Sequence, residues 1–334
     1  MNETLMRVIR AVFANLIKTV ILLFAVSILT FVLICASPID PVQQYITNMG
    51  SAVSQEQREE IEDYWGVNEP PVQRYVGWLS HLVRGDLGES SLYRRSVAEI
   101  IGERFLSSLA LMLSAWIFSG VTGFLLGCVM GMNKNRAPDK ILKRICFVLS
   151  SLPSFWIGLV LLMVFSVWLG IFPVGFSAPV GTLASDITIG ERIYHLILPT
   201  ITLSITAFPS IALHTRQKLI DVLNSDYVLF ARARGESSRQ ILIRHGFRNI
   251  LFPAITLQFA SFAEIFGGAV LVENVFSYPG LGSAAVSAGL NSDVPLLLGI
   301  TLFSALFVCV GNSIADVLYK AADPKLREVR NEGS

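Results

Sequence analysis

Only 15% of the 334 residues are charged, whereas 53% are hydrophobic. An ordinary soluble domain carries about 25% charged residues, so the composition excludes a soluble globular protein and points to one built in a bilayer. The net charge is +1, with cations segregated by loop rather than pooled, so nothing favours a nucleic-acid partner.

In chain order, the first apolar run is Leu16–Ile34. A secretory signal has a core of about 7–15 apolar residues, and a bilayer needs about 20. The run is too long for the former despite the cleavage-like Cys35-Ala36-Ser37-Pro38, and it reads as a retained first helix. Six spans follow from hydropathy: Val12–Ile34, Leu106–Met130, Ile145–Leu169, Leu196–Leu213, Ile250–Leu271 and Val294–Leu318. The fold class is all-α, a polytopic membrane protein with six transmembrane helices. Pro153, Pro199 and Pro209 fall in or beside the middle spans, where neighbouring helices can satisfy the freed carbonyls. Gly120, Gly123, Gly127 and Gly131, with Ala263, Gly267 and Gly268, permit close helix contact. Cys35, Cys128, Cys146 and Cys309 show no Cys-x-x-Cys or Cys/His spacing and read as small apolar side chains.

Orientation follows from the positive-inside rule. With both termini in the cytoplasm, Lys and Arg number three in the N-terminal segment, five between spans two and three, seven between spans four and five, and four at the C-terminus. That places nineteen inside and seven outside. The outer face then holds one sizeable loop, Ser37–Arg104. Ser54-x-x-Gln57 resembles a capping box, the acidic run to Trp65 reads as helix, and Gly66 as its stop. Pro70-Pro71 opens a second amphipathic helix that ends near Arg84-Gly85-Asp86-Leu87-Gly88, and the whole suits a lid or docking surface. His81 and His195, on this side, read as ordinary surface or interface histidines.

The densest chemistry lies in Asp226–Pro253, DYVLFARARGESSRQILIRHGFRNILFP. Arg232, Arg234, Arg239, Arg244, His245 and Arg248 gather about Gly235. Asp221–Arg234 reads as one helix, with Val222, Leu223, Tyr227, Phe230 and Ala231 on its apolar side. Gly235 can adopt positive φ and end it, and Ser237 with Gln240 forms a capping box for a second helix. Two helices meeting at a glycine make a knob suited to a groove on a soluble partner. Contact of the arginines with anionic lipid explains the charge equally well, but it leaves Ala231, Gly235 and the apolar side without a purpose.

The run Asp226–Gly235, followed by Arg244-His245, Arg248-Asn249 and Pro253, resembles the EAA loop of ABC importer permeases. More narrowly, it is similar to the B-type permease of the binding-protein-dependent dipeptide/oligopeptide/nickel family. Ser37-Pro38-Ile39-Asp40-Pro41, Arg84–Gly88, Pro153-Ser154-Phe155-Trp156, Glu273–Phe276, Pro279–Gly282 and Asp323-Pro324 agree with it. Two departures narrow the subfamily: Leu229 and Phe230 stand at the acidic and first alanine positions, and Arg248 at the usual proline. The resemblance implies a type I ABC importer permease fold. Residues 1–104 would hold the first helix and extracytoplasmic loop. Residues 105–319 would be the five-helix transmembrane domain carrying a cytoplasmic coupling loop at 214–250, and 320–334 a cytoplasmic tail.

The same resemblance implies that Tyr227–Gly235 is a coupling helix seated in a cytoplasmic ATPase. The site residues would be Asp226, Tyr227, Ala231, Arg232, Arg234 and Gly235. Partners would be a second homologous permease subunit, two ABC ATPase subunits and an extracellular or periplasmic solute-binding protein, all at the plasma or inner membrane of a prokaryote. No Gly-Lys pair occurs, hence no phosphate loop. The resemblance implies that ATP and Mg²⁺ belong to the partner subunits and that this chain would have no catalytic residue, cofactor or metal.

Glu264 is the acidic residue well inside a span, about 20 Å from Leu251 at 1.5 Å per residue. It reads either as a translocation-pathway residue or as a hydrogen-bonded helix contact. Asn312 and Asp316 read as interface hydrogen bonds in span six. Peptides and nickel or its chelates both remain open as solutes, Glu264 with Glu273-Asn274 inclining toward nickel. A proton-coupled secondary transporter using Glu264 is the alternative function. A membrane-embedded hydrolase ranks last, for want of a nucleophile–base constellation.

Overall fold

The computed structural model describes residues 3–36, 70–179, 181–182 and 186–322, with isolated positions 43, 46, 54, 55 and 58. Among these there is no β-strand, only an isolated bridge between Glu89 and Ser96. The helices are α1 (Glu3–Cys35), α2 (Pro71–Val83), α3 (Val97–Met132), α4 (Ala137–Ser150), α5 (Ser154–Leu161, continued by a π-helical turn, Leu162–Trp168) and α6 (Ile189–Leu223). Then come α7 (Asp226–Ala233), α8 (Ser238–Ile241, with a π-turn at Leu242–Gly246), α9 (Phe247–Ala260), α10 (Phe262–Val275), α11 (Leu281–Leu290) and α12 (Val294–Ala322). Gln57 of the expected capping box, the stop at Gly66, and the motifs at Ser37–Pro41 and Asp323-Pro324 lie outside the described residues.

The expected spans are corrected at two places. Among the described residues, three helices are long and apolar enough to cross a membrane, or up to five if each bent pair counts as one span. The third expected span, Ile145–Leu169, is not one rod: its halves meet at 106°. Pro153 caps α5 in extended geometry, has no N–H to continue α4, and disfavours helical backbone at Leu152. The fifth breaks by 50° at Ser261. By contrast, Pro199 and Pro209 are carried inside the unbroken α6. That helix starts on a complete capping box: Glu191 donates its backbone N–H to Thr188 Oγ1, and its carboxylate accepts from the Thr188 backbone.

The chain forms two compact units: Met1–Ser107 with Gly280–Val310, and Ser108–Pro279 with Gly311–Ser334. In the first, Val97, Ile100 and Ile101 of α3 pack with Leu281, Ala284 and Ala288 of α11 and Leu296 and Ile300 of α12. Tyr75 of α2 lies on α1, its hydroxyl 2.7 Å from Ser27 Oγ and its ring edge-on to Phe31. The turn after α2 places Gly85 and Gly88 at φ +82° and +78°. Asp86 between them accepts from the Gly88 N–H at 2.9 Å and pairs with His81 at 3.2 Å. These two contacts, the backbone one first, hold the Asp86 carboxyl below the usual carboxylate range. The buried Asp293 accepts from Ser90 Oγ (2.5 Å), the Leu92 N–H (3.0 Å) and the Leu296 N–H (3.2 Å), tying this turn region to the start of α12.

In the second unit α3 lies on α6 along its glycines. A Cβ at Gly123 would sit 2.9 Å from the Phe208 carbonyl, and one at Gly127 only 2.7 Å from the Ala212 carbonyl and 2.6 Å from Thr215 Cβ. One at Gly131 would strike Leu219 at 2.8 Å. The expectation for Gly268 holds, with Leu203 at 3.0 Å, but Gly267 faces open space. Crosswise bonds join Trp116 and Gln258: each donates to the other's backbone carbonyl, at 2.8 and 2.5 Å. Buried His195 has its Nδ1 2.9 Å from the Gly175 carbonyl, an interface role.

Candidate functional site

Helix α6 ends at Leu223, and Asn224-Ser225 breaks the backbone before α7 begins. The single helix expected over Asp221–Arg234 is therefore two. The break is tight: the Asn224 N–H reaches the Ile220 carbonyl and the Ser225 N–H the Val222 carbonyl, both at 3.1 Å. Ser225 Oγ turns back to the same Val222 carbonyl at 2.5 Å rather than capping α7.

The sidedness of α7 also differs from expectation. Val228 (0% exposed) and Ala231 (4%) face inward and pack with Ile241 of α8, against Val222 and Leu223. Phe230 and Tyr227, assigned to the same apolar side from spacing, point outward instead. Shortening the helix at Ser225 rotates its register: the buried stripe is now i, i+3 from Val228. Leu229 and Phe230 are 68% and 67% exposed, and Tyr227 46%. Arg232 and Arg234 are exposed beside them. The result is a bulky apolar ridge flanked by two guanidinium groups. Tyr227 is steadied from α9, where Asn249 Nδ2 donates to its hydroxyl at 3.0 Å.

Gly235 ends α7 at φ +87°. Its N–H reaches the Arg232 carbonyl (2.9 Å), and the Glu236 N–H the Ala231 carbonyl (3.2 Å), the paired bonds of a Schellman turn. The next helix opens on the expected capping box. The Ser237 N–H donates to Gln240 Oε1 at 2.8 Å, and the Gln240 N–H to Ser237 Oγ at 3.4 Å. Ala231 serves this geometry by being small at the contact with Ile241. Asp226 sits in the first turn of α7, where a carboxylate complements the helix dipole.

One contact beside this loop was not legible in the charge pattern. Arg216 of α6 forks onto Asp139 of α4, Nε to Oδ1 at 2.5 Å and Nη2 to Oδ2 at 2.7 Å. Their side chains are 13% and 2% exposed. The available signals were a guanidinium just past the apolar stretch of α6 and an Asp in the first turn after Ala137-Pro138.

Glu264 lies exposed in the first turn of α10, on the face shared with Gly267, Leu271 and Asn274. Glu273 does not join it: that carboxylate is 1% exposed and accepts from Ser108 Oγ of α3 at 2.5 Å. The two glutamates thus form no common ligand pair, which removes the sequence argument inclining toward nickel. Among the described residues no group of three His, Cys, Asp or Glu side chains could hold a metal ion.

Residues 123–328 match the family model of the binding-protein-dependent transport system inner membrane component, and residues 8–112 the N-terminal model of the same membrane components. The oligopeptide transport system permease protein AppB of Bacillus subtilis (strain 168) is 37% identical over 306 residues, covering 91% of this chain and 95% of that protein. The glutathione transport system permease protein GsiC of Escherichia coli (strain K12) is 33% identical over 307 residues, covering 91% and 94%. A solved structure of the MetNI methionine ABC transporter, inward-facing, aligns with a TM-score of 0.48 at 16% identity, over 66% of this chain and 97% of that one.

Proposed function

Because the chain belongs to the binding-protein-dependent transport system inner membrane components, the permeases of ABC importers, we propose that it forms half of a translocation pathway whose other half is a second, homologous permease. In this arrangement six spans adopt the type I importer fold, with both termini cytoplasmic in the plasma or inner membrane of a prokaryote. Residues 1–104 supply the first helix and outer loop, 105–319 the transmembrane domain with its 214–250 coupling loop, and 320–334 the tail.

The observation that carries this reading is the ridge of α7. Leu229 and Phe230 expose bulky apolar surface in an otherwise charged loop, and two arginines stand beside them. A loop that merely met lipid headgroups would not need a Schellman stop and a buried underside to hold that ridge rigid. An amphipathic knob of this kind fits a cleft on a soluble partner, here a cytoplasmic ABC ATPase, with one ATPase on each permease. ATP and Mg²⁺ bind there, and this chain contributes no catalytic residue, cofactor or metal. Closure of the ATPases on nucleotide pushes α7, and α7 moves the helices between inward- and outward-open arrangements.

The solute class is small peptides, delivered by a separate binding protein. AppB, named for oligopeptides, and GsiC, named for glutathione (itself a tripeptide), support it. Glu264 faces the pathway, where its carboxylate would meet an ammonium group of the solute. Nothing in the comparisons favours the proton-coupled alternative.

The test is co-purification. Wild-type chain expressed with its ATPase subunits should recover them, and Arg232→Glu with Arg234→Glu should not. Undiminished recovery with the charge-reversed chain, or uptake driven by a proton gradient without ATP, would overturn the proposal.

A further inference from the structure

We propose that Asp139 and Arg216 are positioning residues for transport: their buried fork locks the root of α7 to the α3–α4 corner, so that all three move as one body. This rests on the reading of α7 as the docking helix.

The root itself is short and stiff. Arg216 lies seven residues before the end of α6, about 10 Å along the axis. Two hydrogen-bonded residues then lead directly into α7, and Val228 and Ala231 pack back on Val222 and Leu223. A push on α7 therefore reaches the last turns of α6. What α6 passes on depends on its grip on α3 and α4. The glycine seam of α3 brings Gly127 and Gly131 against Thr215 and Leu219, but apolar surfaces in contact resist sliding only weakly. The fork is different, because a bidentate guanidinium–carboxylate pair has one geometry.

Asp139 extends the lock. Its Oδ2 also accepts from the Asn135 N–H at 2.8 Å, and Asn135 is held at φ +64° in the turn between α3 and α4. One carboxylate thus fixes that turn, the first turn of α4 and the lower part of α6. Removing either partner leaves a buried charge uncompensated, so the pair does not part readily during the cycle. Setting register is the best-attested use of such a pair.

The experiment reads the movement directly and needs no solute. In the assembled transporter, with the native cysteines replaced, spin labels are placed at Lys134, in the α3–α4 turn, and at Lys218 on α6, both exposed. Their distance is measured without nucleotide and after trapping with ATP and vanadate. With the fork intact the distance should be the same in both states. With Asp139→Asn, and separately Arg216→Gln, it should shift on trapping by at least about 2 Å, the scale of helix displacements at moving interfaces. The double variant should shift no further than either single one, because both break the same contact. Restricting the measurement to complexes that retain their ATPase subunits removes misfolded material. A wild-type distance that changes on trapping, or variant distances that stay fixed, would overturn the clamp. Failure of the wild-type chain to recover ATPase subunits would instead overturn the docking role of α7.

Discussion

Substituting Gly235 separates a backbone requirement from a space requirement at the heart of the loop between α6 and α9. A Cβ built there meets nothing within 4 Å, yet φ is +87°. Any penalty is therefore conformational. For an L-residue the left-handed region costs about 1–2 kcal/mol, and a β-branched side chain pays more. Helix α7 has eight residues, too few to hold itself together in water, and its C-terminal end rests on the Gly235 and Glu236 N–H bonds. A loss of 1–2 kcal/mol changes the population of the ordered loop about five- to thirty-fold. The assay is recovery of ATPase subunits and ATP-dependent uptake of a labelled tripeptide, normalised to the amount of chain in the membrane. Gly235→Asn should stay near wild type, because Asn visits this region readily. Gly235→Ala should fall several-fold, and Gly235→Val should abolish both readouts while membrane insertion persists. Equal behaviour of Asn and Val would refute the reasoning, since a Cβ fits for either and it is their backbone preferences that set them apart.

Gly127→Leu should unfold the purified protein at a lower temperature, because its Cβ meets the Ala212 carbonyl at 2.7 Å and backbone cannot step aside, whereas Gly102→Ala, with nothing within 4 Å, should not. Thiol exposure of the buried Cys146 on heating follows this, and equal midpoints would count against close α3–α6 packing. Asp293→Ala strands three donors, two of them buried, at about 1–3 kcal/mol for each buried one, so it should cost far more stability than Asp293→Asn, which keeps an acceptor oxygen; comparable losses would mean that the anchor role is wrong. Glu264→Gln should reduce uptake of a lysine-containing tripeptide several-fold more than that of trialanine, and parallel losses for the two would remove Glu264 from the pathway.

Much of the local structure was readable because its signals are local. Gly235, the Ser237–Gln240 box and the Pro71 helix start each depend on a few neighbouring residues, and each appears where local chemistry requires. Register was harder to read. Spacing alone put Phe230 and Ala231 on one side of a long helix; the break at Asn224-Ser225 turns one out and the other in. The bends at Pro153 and Ser261 were missed for a related reason, since hydropathy measures apolar length and is blind to direction. Pro199 and Pro209 carry the same local signal as Pro153, yet they stay within one helix.

By itself the sequence determined what depends on composition and short range: a membrane protein, its apolar runs, the basic loop and the glycine that stops α7. Only the tertiary structure decided which faces meet. Asp139 and Arg216 stand 77 residues apart; in sequence Arg216 is one of the counted loop cations, and nothing marks Asp139. Packing α6 along the glycines of α3 brings them into one buried fork of a single bidentate geometry. That step needs distances between distant parts of the chain, which no local pattern contains.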